Sequence, residues 1–218
     1  MAAHEVHLSA FTVVAAGIFT PEIFQPKWMF SQGLLTSAVE KAAKVEAITP
    51  NVTSFSADWL RFVCLNNQIA ISTTLENALP SLKDLAIGIF SSVTRSSITA
   101  IAINYEAHFE IPTQDAWHKF GHLLTPKECW KGILDSPGMR NIQMQGARSD
   151  KLGGSINVSV QPSVKMSPGK FGVYILVNDH VDKDTDLETF DAVDALTTIW
   201  KQSIDRSKNI ASALMKLT

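Results

Sequence analysis

Residues 97–111 read SITAIAINYEAHFEI, and their alternation decides the fold class. Ile101, Ile103, Tyr105, Ala107, Phe109 and Ile111 share one parity, whereas Asn104, Glu106, His108 and Glu110 share the other. Successive side chains of a strand point to opposite faces, so this spacing predicts a long strand with an apolar side and a wet side. Working outward, the same style recurs. Residues 55–66 read as one strand, Asn66-Asn67 as a tight turn, and residues 68–74 as the returning arm of a hairpin, because Asn tolerates positive φ. Further along, Ile142 and Met144 alternate with Gln143 and Gln145, and Ile156, Val158 and Val160 alternate with Asn157, Ser159 and Gln161. Gly153-Gly154 and Ser167-Pro168-Gly169 supply turns. Residues 171–177 are apolar on both parities, which suits a central strand. With a strand near residues 6–16, the count is about seven.

Three segments change to helical spacing. Leu82, Leu85, Ala86, Ile89 and Val93 form one stripe, with Pro80 near its start, where a missing N–H costs nothing. Residues 116–124 form a shorter helix ended by Thr125-Pro126. Phe190, Val193, Thr197, Trp200, Ile204, Ala211 and Leu214 mark a long C-terminal helix. A short helix is expected near residues 34–43. Strands joined by short turns run antiparallel. The fold class is therefore α+β: a curved antiparallel sheet with two to three helices packed mainly on one face. The 218 residues form a single domain with conceivable pseudo-repeated halves, 1–112 and 113–218, although no residue-level repeat supports them.

Composition excludes some function classes. The chain is 45% hydrophobic and 18% charged, as a folded protein is. Its formal net charge of −2 argues against nucleic-acid binding, which draws on a basic surplus. No apolar run is long enough to cross a bilayer and no basic region precedes residues 10–19, so a cytoplasmic protein without a membrane partner is expected. Cys64 and Cys129 both lie among apolar residues and read as buried free thiols. The sequon Asn51-Val52-Thr53 reads as chance.

Several clusters invite chemistry. VNDHVDKDTD, residues 177–186, places Asp182, Asp184 and Asp186 at the spacing of a calcium loop, but Leu187 replaces the obligatory glycine and Val193 the bidentate glutamate. The simpler reading is punctuation: a helix starting near Leu187 is capped by Asp184, Thr185 or Asp186, and Glu188 adds charge to its first turn. Asn178 and His180 can close the preceding strand through side-chain hydrogen bonds. His118 and His122 are four apart on a helix, a spacing that can present two imidazoles to one metal with Asp115 as a third ligand, but the glutamate of HExxH is missing. Glu106, His108 and Glu110 alternate on one strand face. Two carboxylates beside an imidazole suit acid–base work, with Tyr105 and His180 as further groups, although a solvated face has the same pattern. If their strands pair, Gln143, Gln145, Asn157, Ser159 and Gln161 form one amide-rich patch, able to donate and accept hydrogen bonds to a ligand. Phe24, Trp28 and Phe30 lie in an apolar segment that reads as exposed. No nucleophile elbow, phosphate loop or dinucleotide fingerprint occurs, and no cofactor is implied.

The succession TSFSADWLRF, ISTT, INYEAHFEIP, AWHKFGHLLTPKE, PGMRNIQMQGAR and YILVNDH resembles a sporadically distributed family of uncharacterised bacterial proteins of similar length, over residues 24–214. The resemblance implies a bacterial cytoplasmic protein, and the patchy distribution an accessory or defence-associated role. It brings no catalytic residues. Two functions are expected. The first is a non-enzymatic binding or assembly module that docks a protein partner or a copy of itself. The alternative is a small-molecule-binding or metal-dependent hydrolytic protein using His108 and Glu106, or His118 and His122.

Overall fold

A computed structural model describes residues 6–93, 98–148, 150, 152–182 and 190–218. The long alternating segment is a strand, β6 (Ile98–Ile111), at the centre of a single antiparallel sheet. The other strands are β1 (Val6–Gly17), β2 (Lys44–Thr49), β3 (Val52–Ala57), β4 (Leu60–Leu65), β5 (Gln68–Thr73), β7 (Ile142–Ala147), β8 (Ser155–Pro162) and β9 (Phe171–Asp182). They lie in the order β2-β3-β4-β5-β1-β6-β9-β8-β7. The α-helices are α1 (Pro26–Ser31), α2 (Ser37–Ala42), α3 (Leu79–Ser92), α4 (Gln114–Leu124) and α5 (Ala192–Met215).

Among the described residues the sheet therefore has nine strands rather than about seven, five α-helices accompany it rather than two or three, and it is not clearly curved. The extra strands have a local cause. Residues 55–66 are not one strand: the chain reverses at Asp58-Trp59 with Asp58 at φ 51°, a left-handed turn made without glycine. Asp is one of the few non-glycine residues that tolerate this conformation. Strand β2 escaped notice because it is an edge strand with a mostly exposed side-chain pattern. The Asn66-Asn67 hairpin joins β4 to β5 as expected.

One parity builds the core. Phe11, Val13, Phe55, Phe62, Ile69, Ile71, Ile101, Ile103, Phe109, Ile175 and Val177 are all buried, against Leu82, Ile89, Leu196 and Ile199 of α3 and α5. Burying each such side chain contributes about 1.5–3 kcal/mol. Helix α3 carries Pro80 in its first turn, and α4 is capped by Thr113, whose hydroxyl accepts from the Ala116 N–H. The cap of α5 is Asp191, which accepts from the Val193 and Asp194 N–H groups. The expected caps Asp184, Thr185 and Asp186, with Leu187 and Glu188, lie outside the described residues. Cys64 is buried as expected and its thiol is pushed up to about 12 by burial, but Cys129 is exposed.

Candidate functional site

The second parity of the sheet forms a different surface. Strand register aligns Lys44, Ser56, Arg61, Ser72, Thr12, Asn104, Asn178, Asn157 and Gln145 in a single row that crosses all nine strands. Every member is polar. Beside it run Ala10, Glu106, Leu176, Ser159 and Gln143, and then Leu8, His108, Tyr174 and Gln161. The buried residues of the helices meet the opposite parity, so among the described residues no helix is placed on this face.

The row is bonded within itself. Asn157 Nδ2 donates to Asn178 Oδ1 (3.1 Å), and Asn178 Nδ2 to Asn104 Oδ1 (2.6 Å). Asn157 and Gln145 also donate to Ser155 Oγ, each at 3.2 Å. Some charges on and around the face have partners, Arg61 with Glu46 and Lys170 with Glu110, and His180 Nε2 lies 3.6 Å from Asp182, whereas Lys44 stands exposed at the end of the row. From Ser72 to Gln145 the row consequently offers uncharged hydrogen-bonding groups.

At one corner the Glu106 and His108 set acquires partners. The Tyr174 hydroxyl donates to Glu106 (3.0 Å), and His108 Nδ1 lies 2.7 Å from Ser163 Oγ. The His108 ring packs 4.7 Å from that of Tyr174. Burial, then Lys165 and His7, hold the imidazole below its ordinary pKa, the reverse of what flanking carboxylates would do. Tyr174 is pushed up by burial and by the Glu106 carboxylate. Glu110 is drawn away to Lys170, and His180 lies four strand residues along, next to Asp182. Tyr105 points into the core against Phe11. These groups are therefore not one constellation: Glu106 and His108 share a corner, whereas Glu110, His180 and Tyr105 do not converge on it.

The proposed metal ligands stay apart. Asp115, His118 and His122 are exposed on α4. His118 contacts Gln114 at 3.3 Å and His122 contacts Glu128 at 3.1 Å. Among the described residues no group of three or more His, Cys, Asp or Glu side chains is placed to hold a metal. Below α4 lies a cavity of about 220 Å³ with walls that include Trp117, Phe120, Met139, Pro162 and Val173.

Of the aromatic segment, Phe30 is 45% exposed, but Phe24 is 3% exposed and packs on Phe62 and edge-on to Trp28. Phe24 is core, because the segment folds back onto the apolar side of β4. The amide group fares differently: β7 and β8 do pair, and Gln143 lies opposite Ser159, Gln145 opposite Asn157. Gln161 continues the patch toward Tyr174.

Sequence reasoning missed a buried ion cluster on the helical side. Asp179 and the Arg148 side chain are fully buried and joined to each other. Arg148 also donates to Asp150 through Nε (2.9 Å) and Nη2 (2.5 Å). Arg206 of α5 approaches Asp179 at 3.1 Å and Asp150 at 3.5 Å. The 3.1 Å contact lacks hydrogen-bond alignment and is coulombic, and Arg206 Nη1 finds no acceptor among the described residues. The hydrogen bonds from Arg148, and its charge, hold the Asp150 carboxyl below the usual range. The missed signal was legible: Asp179 stands on the apolar parity of β9, with Val173, Ile175, Val177 and Val181. A carboxylate there must be paired. The cluster ties the β7–β8 connection to β9 and α5. Compared with known families and with curated proteins, the chain matches no family model and no curated sequence.

Proposed function

We propose that the chain is a non-catalytic binding module that docks a protein partner, or a copy of itself, against the helix-free face of its sheet. On the resemblance drawn from its motifs, it is an accessory protein of the bacterial cytoplasm. The observation that carries the reading is the polar row across nine strands. Amides and hydroxyls that both donate and accept suit a partner's backbone and polar side chains. The uncharged stretch of the row suits phosphate backbones poorly, which agrees with the net charge of −2.

Ser159→Arg tests it by placing a charge in the middle of the amide patch. Protein purified from its source cells should carry a stoichiometric partner that the variant loses while its thermal melt is unchanged. Retention of the same partner by the variant, or a bare wild-type monomer, would remove the basis for the reading.

A second reading has one observation in its favour, the meeting of Glu106, His108, Tyr174 and Ser163 at one corner. That corner could receive a small polar molecule, and His108→Ala would then abolish its binding without affecting partner capture. Stoichiometric zinc or manganese in the purified protein would revive the hydrolytic version through His118 and His122.

A further inference from the structure

The two edges of the sheet are built differently. Strand β2 carries Lys44 and Glu46, ties Glu46 to Arg61, and is interrupted by a register shift between Val45 and Ala47. Charges and bulges are the usual guards against edge-to-edge pairing. Strand β7 has neither. Its residues IQMQGA contain no charge and no proline, and they pair with β8 in unbroken register. All but Ile142 are exposed, and among the described residues no strand lies on the outer side. Of the nearest charges, Arg140 lies before the strand and Arg148, just after it, is turned into the buried ion cluster.

Met144 sharpens the contrast. It sits on the parity that faces the helices, yet it is 65% exposed, because the helical layer stops short of this edge.

We propose that two copies of the chain pair β7 to β7, antiparallel, about a two-fold axis through Met144. Such an axis, normal to the sheet, passes through a residue that faces its own copy. Centring it on Met144 sets Met144 against Met144 and Gln143 against Gln145 of the second copy. Apolar surface meets apolar surface, and each amide meets an amide that can answer both its donor and its acceptor. No like charges are opposed within the strand. A second copy is the fitting occupant because residues 143–145 are symmetric about Met144: thioether at the centre, a primary amide on either side. One short edge buries less than the roughly 1,200–2,000 Å² of a standard stable interface. The pairing is therefore weak and builds up with concentration. It stands apart from the binding reading, because it rests on the sheet edge and not on the bare face.

Sedimentation velocity across a wide concentration series tests it. The wild-type mass should climb toward twice that of one chain, while Met144→Lys stays at the mass of one chain throughout. Val45→Lys, on the guarded edge and at a residue 50% exposed, should dimerise as the wild type does. A wild type that stays monomeric, a Met144→Lys protein that dimerises undiminished, or loss of the dimer in Val45→Lys would each overturn the proposal. Loss of the dimer in Ser159→Arg while Met144→Lys retains it would place self-association on the face and overturn the pairing. A second measurement avoids the added charge. In a Cys129→Ser background, Met144→Cys should give an inter-chain disulfide on mild oxidation and Val45→Cys should not; the reverse result refutes the pairing.

Discussion

Replacing Asp179 with alanine should be among the most damaging single changes in this protein. Its carboxylate is fully buried between two guanidinium groups, Arg148 and Arg206. Removing it leaves the Arg148 side chain, itself fully buried, with Asp150 as its remaining carboxylate. Arg206 keeps only the 3.5 Å contact to Asp150. Truncating one partner of a buried ion pair costs about 3–5 kcal/mol, because the other charge stays buried without compensation. In a protein of this size that corresponds to a fall in melting temperature of about 6–20 °C. Thermal and urea denaturation followed by circular dichroism measure it. Arg148→Met combined with Asp179→Leu should recover most of the loss, since Asp150 and Arg206 can then answer each other. If Asp179→Ala costs less than about 1 kcal/mol, or the double variant is as unstable as the two single changes summed, the cluster is not a closed, mutually compensating unit.

Three further outcomes are expected. Gly154→Ala should lose more than about 1 kcal/mol, because residue 154 sits at φ 110° and a Cβ would lie 2.2 Å from the His180 carbonyl oxygen. Gly146→Ala, with nothing within 4 Å of its Cβ, should not, and parallel melts compare the two. Asp191→Ala should cost about 0.5–2 kcal/mol by freeing the first N–H groups of α5, and Asp191→Asn should restore most of it in the same assay. Finally, the hydrogen bonds from Arg148 depress the Asp150 pKa in the folded state. Its stabilising contribution is therefore complete above the ordinary aspartate value of about 4 and is lost as pH falls from there toward the depressed folded value. Urea midpoints recorded from pH 6 to pH 2 should fall less steeply in Asp150→Asn than in the wild type over that acid range.

Period-two alternation, a property of each strand alone, was enough to identify β6, β7 and β8, an apolar run on both parities marked β9, and the Asn66-Asn67 turn marked the β4–β5 hairpin. Three-and-four spacing did the same for α3, α4 and α5. In both cases burial against one layer imposes a repeat that any stretch of chain must display locally. The turn at Asp58 and the edge strand β2 were hidden because neither depends on a strong local pattern. Asp adopts a left-handed conformation that glycine usually announces, and an edge strand needs little apolar surface.

The candidate surface was half visible. Gln143, Gln145, Asn157, Ser159 and Gln161 could be grouped from their strands, but Asn104, Asn178, Thr12, Ser72 and Arg61 join them only through register across distant strands. No local signal carries register between residues so far apart in the chain. The same holds for Arg148, Asp150, Asp179 and Arg206, which come from the β7–β8 connection, β9 and α5. Local chemistry thus determined most of the strands and helices and, for the alternating strands, which parity is apolar. Tertiary structure alone decided which polar side chains become neighbours, which edge of the sheet is left unguarded, and that Phe24 belongs to the core, because each depends on pairing between segments whose sequences do not refer to one another.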